Sequence, residues 1–390
     1  MTLTEKIKLK GLELGYAAVG ISPADEFTDY INILKERQDK YDFYISRPMK
    51  PLEGASPKSI NPQSKSVISL AWDFSNTDFP QNLLGKIGRA YMARCYTPPK
   101  NSVNGARLEL FKDFLEKNGC NIIKGIWLPD RAAAVRSGIA TYGKNNFGYL
   151  SEGSSFVVFT SIVVDKVLDY DAPAQNPRPC PENCRLCMDA CPTGAIENAG
   201  KLNPKRCIGY LNWFTQKGWL PPSEDGTPVS HIPHDLREKV GQHIHGCDVC
   251  QEVCPRNKRA LEGAKAKDPY LEYLSTAISL EKMLFMDEEF YNSCIRPIMY
   301  NYIGDIRYFR RNAAIVMGNS GDEKYLPCLE KALHDEDPLI REYSAWALGK
   351  IGRKEAISML ENALSKETDD RVRKEIKLIL SNSCKGTPKV

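Results

Sequence analysis

Two clusters of cysteines place the strongest constraint on how this chain can fold. Eight of its thirteen cysteines lie between residues 180 and 254, and both clusters contain the spacing C-x2-C-x3-C-P. An odd cysteine count and the lack of an export signal argue against a disulfide framework. Three thiolates on one loop can bind three irons of a cubane, while the cysteine before the proline points toward a second cluster. The spacing therefore predicts two 4Fe–4S clusters.

In two-cluster ferredoxins the ligands cross over between the two runs, and the same logic assigns the ligands here. One cluster would take Cys180, Cys184, Cys187 and Cys254. The other would take Cys191, Cys207, Cys247 and Cys250. The alternative is zinc, because paired C-x2-C knuckles bind it tetrahedrally. Zinc sites rarely use the C-x3-C-P tail twice, so the pattern favours iron and sulfur. Four histidines near the second run are not needed as ligands: His231, His234, His243 and His245.

Composition excludes several other classes of protein. The chain has 53 basic and 49 acidic side chains, a balance that does not by itself indicate a nucleic-acid binder. No apolar run approaches the roughly 20 residues that cross a bilayer, so we expect no membrane insertion. The amino terminus, MTLTEKIKLKGLELG, lacks the apolar core of a signal peptide. We therefore expect a cytoplasmic protein.

The hydrophobic pattern predicts an α+β fold in three parts. Residues 1–170 alternate helical patterns (residues 6–15 and 106–117) with extended ones (residues 16–21, 66–72, 121–128 and 156–164). A polar linker opens a cysteine-rich part at residues 171–300. Residues 301–390 repeat with a period near 31, which indicates helical repeats of the HEAT type.

Basic residues recur near the starts of the predicted repeat helices. They leave two interpretations open: a surface that meets RNA phosphates, or an ordinary solvated helix face. The residues are Arg307, Arg310, Arg311, Arg341, Arg371, Arg373 and Lys374.

Several stretches together resemble the epoxyqueuosine reductase family over nearly the whole chain. They are DRAAAVRSGIATYGKNN, CMDACPTGAI, RCIGYL, IPHDLREKVG and GCDVCQEVCPRN, in that order, followed by the repeats. The resemblance implies two 4Fe–4S clusters and a cobalamin in a nitroreductase-like amino-terminal domain. It implies reduction of the epoxide of epoxyqueuosine to queuosine at the wobble position of tRNA. The residues implied at the cobalamin are Tyr96, Lys144, Asn145, Arg237 and Asp248.

Two stretches depart from the family pattern. The family commonly has an aspartate, in an Asp-x-Gly-Pro stretch, that is the expected proton donor, whereas this chain has Lys124 there. We therefore expect Lys124 or Asp130 to donate the proton, with Lys124 preferred and Asp130 a structural partner of a neighbouring arginine. In an earlier loop the family tends to have Arg-Asp-Tyr-His, where this chain has Arg94-Cys95-Tyr96-Thr97.

These departures keep two further hypotheses open. One is a related corrinoid-dependent reductase of a small molecule, similar to a dehalogenase. The other is an electron-transfer or corrinoid-activating partner protein, which the large amino-terminal part disfavours. For the leading hypothesis we expect tRNA as a partner, an external low-potential electron donor such as ferredoxin or flavodoxin, and a monomeric enzyme.

Overall fold

The chain folds into two compact units. The computed structural model describes residues 1–46, 50–96, 98, 100–151, 153–212, 231–299 and 305–384, so Thr97 lies outside the described residues. Within those ranges, unit 1 comprises residues 1–78, 89–207 and 248–268, and unit 2 comprises residues 79–88, 208–247 and 269–390. Among the described helices, none is long and apolar enough to cross a membrane.

Unit 1 is built on a four-stranded antiparallel sheet. The strands of unit 1 as a whole are β1 (Ala18–Pro23), β2 (Ser66–Asp73), β3 (Ile122–Ile123), β4 (Ala140–Tyr142), β5 (Gly148–Leu150), β6 (Val157–Val164), β7 (Ile196–Asn198) and β8 (Lys201–Leu202). The main sheet has the order β1-β2-β6-β3. The remaining strands form two-stranded ribbons, β4 with β5 and β7 with β8. The result is the mixed helix and strand fold that the hydrophobic pattern predicts.

Helices cover both faces of the main sheet, so its central strands are apolar on both sides. On one face Ile7 and Phe111 pack against Ile68. On the other face Phe27 and Ala133 belong to a second apolar cluster. The α-helices of unit 1 are Leu3–Glu13, Thr28–Glu36, Gln38–Ile45, Pro51–Gly54, Pro57–Ile60, Arg89–Met92, Val103–Lys117, Asp130–Arg136, Leu186–Asp189, Val249–Glu252 and Lys258–Glu262.

Most of the predicted elements of unit 1 are confirmed, with shifted ends. The two predicted helices are Leu3–Glu13 and Val103–Lys117, and the strands predicted at 66–72 and 156–164 are β2 and β6. The prediction for residues 121–128 is wrong beyond its first residues, because only Ile122–Ile123 pair with β6. Gly125 then turns the chain with a φ of 80°.

Unit 2 is helical in its described residues and ends in the predicted repeats. Its α-helices are Ile208–Leu211, His234–Arg237, Pro269–Ala277, Leu280–Leu284, Glu288–Phe290, Arg296–Met299, Arg307–Ser320, Leu326–Ala332, Pro338–Ile351, Lys354–Lys366 and Asp370–Cys384. Two of the repeat helices end on left-handed glycines, Gly321 and Gly352. Neighbouring repeat helices approach closely at Gly318, where a Cβ would lie 2.8 Å from the Cα of Ala347. The repeated glycines therefore serve both helix termination and helix packing.

Candidate iron–sulfur centre and active site

Four of the predicted cluster cysteines line one cavity of unit 1. They are Cys180, Cys184, Cys187 and Cys254, the set that the crossover assigns to one cluster. The thiol of Cys187 is buried, and burial together with its three cysteine neighbours raises its pKa. Cys254, the last cysteine of the second run, thus lies beside three cysteines of the first run.

The donor set of this cavity fits a cubane. A 4Fe–4S cluster is held by four thiolates, and the fourth ligand of a two-cluster ferredoxin comes from the other cysteine run. Because a cubane is larger than one ion, its thiols surround a cavity and do not meet at a point. Among the described residues, no three or more His, Cys, Asp or Glu side chains are grouped for a single metal ion.

The other four cysteines are not brought together within one unit. Cys191, Cys207 and Cys250 belong to unit 1, whereas Cys247 ends a segment of unit 2. The sulfur of Cys191 accepts a hydrogen bond from the Ala195 amide at 3.2 Å. Their assignment to the second cluster stays a prediction.

Lys144 holds the loop that carries the first cysteine run. Its ammonium group donates to the carbonyl oxygens of Pro181, Glu182 and Cys184 at 2.7, 2.5 and 3.0 Å. An ammonium has three protons, and these three carbonyls use them all. Lys144 therefore fixes a cysteine loop and keeps no donor for a cofactor amide.

Asn145 connects the same turn to the second cysteine run. The residue is buried, and its amide donates to the Tyr149 hydroxyl at 3.0 Å and to the Cys250 carbonyl at 3.1 Å. Its side-chain oxygen accepts from the Phe147 amide at 3.2 Å. The amide protons of Asn145 are therefore used within the protein as well.

The turn around Lys144 and Asn145 packs directly on the ring of Tyr149. A Cβ at Gly143 would lie 2.5 Å from the Tyr149 ring, so this position requires glycine. The guanidinium of Arg256 lies 4.0 Å from the centre of the same ring. Tyr149 is fully buried and also lines the cavity of the four cysteines.

The other residues expected at the cobalamin are divided between the two units and have different hydrogen-bond partners. The Asp248 carboxylate accepts from the amide and the guanidinium of Arg89 at 2.8 and 3.1 Å. Arg237 belongs to unit 2, where it donates to Glu342 at 2.9 Å and lies 3.2 Å from a Glu375 oxygen. Tyr96 is 37% exposed.

Of the two proton-donor candidates, Asp130 has the environment of an acid. Burial raises its pKa to about 7, although hydrogen bonds from Ser161 and the charge of Arg131 act in the opposite direction. Arg131 itself donates to the carbonyl oxygen of Asn146. Lys124 lies exposed just after β3.

Ser161, the hydrogen-bond partner of Asp130, belongs to a pair of serines on the main sheet. Ser69 on β2 is paired in register with Ser161 on β6, and their hydroxyl oxygens are 3.5 Å apart. Sequence reasoning missed Ser161 as well as Tyr149, because each stands in an apolar strand pattern that gives no signal of a polar role.

The basic residues of the repeats are largely paired with carboxylates or buried. Arg341 makes two bonds of 2.8 Å to Glu367, and Arg310 pairs with Asp335. Arg311 is fully buried and donates to the Leu211 carbonyl at 3.0 Å. Arg310 and Arg341 therefore stabilise the repeats internally, and Arg311 connects them to the helix at residues 208–211. For Arg307, Arg371, Arg373 and Lys374 both interpretations of the pattern stay open.

Comparison with known families matches two parts of the chain. Residues 180–257 match a 4Fe–4S double cluster binding domain, and residues 305–380 match HEAT repeats. Both matches agree with the predictions made from cysteine spacing and from the 31-residue period.

Curated relatives match nearly the whole chain. An epoxyqueuosine reductase of Bacillus subtilis is 28% identical over 96% of this chain and 94% of its own length. An epoxyqueuosine reductase of Escherichia coli is 27% identical over 94% of both chains. An uncharacterized protein of Geobacillus stearothermophilus is 31% identical over 58% of this chain and 96% of its own length.

Solved structures give the same result. A crystal structure of an epoxyqueuosine reductase with a tRNA-Tyr epoxyqueuosine-modified tRNA stem loop superposes with a TM-score of 0.79. It is 26% identical to this chain, and the match covers 98% of this chain and 99% of the other. A structure of the Bacillus subtilis enzyme gives a TM-score of 0.78 at 27% identity, covering 97% of this chain and 98% of the other.

Proposed function

Because the chain belongs to the epoxyqueuosine reductase family, we propose that it reduces epoxyqueuosine to queuosine in tRNA with electrons from two 4Fe–4S clusters. The observation that carries the proposal is the cavity lined by Cys180, Cys184, Cys187 and Cys254. Two separate cysteine runs supply that set, as a double-cluster protein requires. The relative solved with a modified tRNA stem loop supports tRNA as the substrate.

Cobalamin is part of the proposal because the resemblance to the epoxyqueuosine reductase family implies it. When bound, it would supply a cobalt centre that accepts single electrons from the clusters and attacks the substrate. Among the residues expected around it, Lys144 and Asn145 also donate hydrogen bonds within the protein and Asp248 is paired with Arg89, so their place at the cobalamin stays a prediction.

The protein's own contribution to the chemistry is a proton. Opening the epoxide develops negative charge on the oxygen, and a neutral acid within reach of that oxygen lowers the barrier. We propose Asp130 as this acid, because burial raises its pKa to about 7 and a substantial fraction is then protonated at neutral pH. Lys124, at the family's aspartate position, is the competing candidate.

We also propose the three parts read from the sequence. Residues 1–170 would be a nitroreductase-like catalytic domain, residues 171–300 a ferredoxin-like double-cluster domain, and residues 301–390 the repeat domain. The sheet within residues 18–164 and the family matches at 180–257 and 305–380 support this division. The enzyme would act in the cytoplasm as a monomer, with an external ferredoxin or flavodoxin as its electron donor.

A nucleoside digest of tRNA tests the proposal. We incubate tRNA that carries epoxyqueuosine with anaerobically reconstituted protein, a low-potential reductant and cobalamin. The tRNA is then digested, and its nucleosides are separated and identified by mass spectrometry. We expect queuosine to replace epoxyqueuosine. A Cys254→Ser variant is the matched control, because it removes one ligand of the four-cysteine cavity. If protein that holds both clusters leaves epoxyqueuosine unchanged, the proposal that epoxyqueuosine in tRNA is the substrate is refuted.

A small-molecule corrinoid reductase is the second candidate. The observation that favours it is the replacement of the family's aspartate by Lys124 and of a second aspartate by the buried Cys95. Reduction of a halogenated organic compound by protein that leaves epoxyqueuosine in tRNA intact would support it.

A further inference from the structure

Asn257 ends the short 3₁₀ turn Pro255–Asn257 that follows Cys254, and it is fully buried. Its side-chain amide donates to the hydroxyl oxygen of Ser155 at 2.8 Å and to the backbone carbonyl of Gln251 at 2.7 Å. Its side-chain oxygen accepts from the backbone amide of Ser155 at 2.9 Å. An asparagine amide has two protons to donate, and both are used here. The side chain of Asn257 therefore joins the end of this turn to Ser155.

Ser155 belongs to a rigid part of unit 1. It lies two residues before β6, and the next residue, Phe156, accepts a backbone hydrogen bond from Phe74 at 3.0 Å. The hydroxyl of Ser155 donates to the side-chain oxygen of Gln251 at 2.9 Å. Ser155, Gln251 and Asn257 thus form a triangle in which every pair is hydrogen-bonded, and all three residues are at most 4% exposed. Breaking this buried triangle would leave polar groups unpaired away from water.

The backbone of Cys254 is bonded to the buried triangle on both sides. Its amide donates to the Gln251 carbonyl at 3.2 Å, and its carbonyl accepts from the Asn257 amide at 2.9 Å. Of the four cysteines that line the cavity, Cys254 is the one supplied by the second run. Its position beside the first run is therefore set by the triangle, and through Ser155 by the segment that leads into β6.

We infer that Asn257 positions Cys254 as the fourth ligand of the cluster in the four-cysteine cavity and thereby retains that cluster. The inference rests on the proposed function, because it requires the cluster. Asn257 acts through the backbone of Cys254 and is not a ligand itself, so it is a positioning residue.

The effect of losing Asn257 should be confined to one cluster. The other three ligands of the cavity lie in the first run, whose loop Lys144 holds through three backbone carbonyls. Cys250, assigned to the second cluster, is held separately by the Asn145 amide at 3.1 Å. Without Asn257, the Cys254 thiolate is present but no longer fixed, and the iron that it binds becomes open to a chelator.

The test is chelation of iron from the full-length, reconstituted protein, followed by visible absorbance and iron analysis. We compare wild type with Asn257→Ala, which removes all three side-chain hydrogen bonds. We expect one of the two clusters to be lost at least about tenfold faster, the effect of a single lost bond at the upper end of its usual range. The other cluster should be lost at the wild-type rate. Iron should therefore pass through a plateau of about four atoms per chain, the content of one cubane.

Ser155→Ala is a second, milder variant. It removes the hydroxyl from the buried triangle but keeps the bond from the Ser155 amide to the Asn257 oxygen. We expect faster loss of the same cluster, by a smaller factor than in Asn257→Ala. This variant decides the matter if Asn257→Ala does not fold.

Asn319→Ala is the matched control. The amide of Asn319 also donates to two backbone carbonyls, those of Arg237 and Gly241, both at 3.0 Å, within unit 2. We expect this variant to unfold at a lower urea concentration than wild type and to lose both clusters at the wild-type rates. The comparison separates the positioning of a ligand from a general loss of stability.

The outcomes separate the inference from the proposed function. Faster loss of one cluster in Asn257→Ala or Ser155→Ala, but not in Asn319→Ala, supports the inference. Wild-type rates in the folded variants, or equal acceleration at both clusters, would overturn it while leaving the proposed function intact. Wild-type protein that takes up no iron–sulfur cluster would overturn the proposed function itself.

Discussion

The side-chain amide of Asn145 donates a hydrogen bond of 3.1 Å to the backbone carbonyl of Cys250. Its neighbour Lys144 donates to the carbonyl of Cys184 at 3.0 Å. One short turn of unit 1 thus holds both cysteine runs. The Gly-Lys-Asn motif, which the resemblance implies at the cobalamin, has an evident structural role at the clusters.

The first prediction concerns the cluster ligands. Reconstituted wild type should hold about eight irons per chain, the content of two cubanes. Cys254→Ser should lower this to about four, because it removes one thiolate from the cavity. Cys328→Ser is the control, since Cys328 donates to the Tyr325 carbonyl in the repeats and a serine can do the same. Iron and sulfide analysis gives the result, and two bound zinc ions without sulfide would contradict it.

The second prediction concerns Lys144. Lys144→Met keeps the length of the side chain but removes three charge-assisted hydrogen bonds to the first cysteine loop. We expect cluster loss to a chelator to accelerate at least about tenfold, because a single such bond contributes about 1.5–3 kcal/mol and a factor of ten corresponds to about 1.4 kcal/mol. Lys117→Met, which removes a surface ion pair with Asp113 at 2.8 Å away from both cysteine runs, should lose its clusters at the wild-type rate. Visible absorbance during chelation measures both rates.

The sequence was most informative where covalent chemistry imposes a spacing. Cys180 and Cys254 lie 74 positions apart, yet the two C-x3-C-P runs were sufficient to predict that they meet. The repeats were likewise visible, because helix packing requires glycine at a fixed period. Tyr149 and Ser161 could not be predicted, since an apolar strand pattern does not reveal which polar atom faces a site.

Charge patterns in the repeats were ambiguous for a related reason. A basic residue near a helix start has the same sequence signature whether it meets RNA or a carboxylate. Arg341 proves to pair with Glu367, which lies 26 positions later. Only the fold brings these two side chains together.

The third prediction concerns a buried ion cluster of unit 2. Glu342 accepts from Arg237 at 2.9 Å and lies 2.7 Å from His231, and all three side chains are at most 8% exposed. Removing one partner leaves the others buried without compensation, so Glu342→Gln should lower the free energy of unfolding by about 3–5 kcal/mol. Glu323→Gln, which breaks an exposed pair with Arg353, should cost less than about 1 kcal/mol. Urea unfolding followed by circular dichroism compares the two.

Acid should weaken the same cluster. Burial raises the pKa of Glu342, but the bonds from His231 and Arg237 outweigh burial, and the net pKa is lowered. A lowered carboxyl pKa stabilises the folded state above the unfolded value of about 4.3, and this contribution is lost as the pH falls through the folded value. Wild type should therefore lose more stability than Glu342→Gln as the pH falls below about 4. Parallel losses would contradict this linkage.

The last prediction concerns the proton donor. General acid catalysis typically contributes about 10²–10⁴-fold in rate. If Asp130 is the acid, single-turnover reduction of substrate by pre-reduced Asp130→Asn should slow by about 10²-fold or more, because asparagine cannot give up a proton. Lys124→Met should then react at nearly the wild-type rate. The opposite result would assign the proton to Lys124, and two unaffected variants would move it to another residue, with Tyr142 and Tyr96 next to be tested.

The pH dependence distinguishes an acid from a merely structural Asp130. Burial raises the pKa of Asp130 to about 7, so the protonated form, and with it the single-turnover rate, should decline above that pH. In the unfolded chain the pKa is about 3.9, so between about pH 4 and 7 the folded state binds more protons at this site. Stability therefore falls as the pH rises through this window, and Asp130→Asn should remove that slope. A structural carboxylate would change stability in the variant but leave the pH profile of the reaction unaltered.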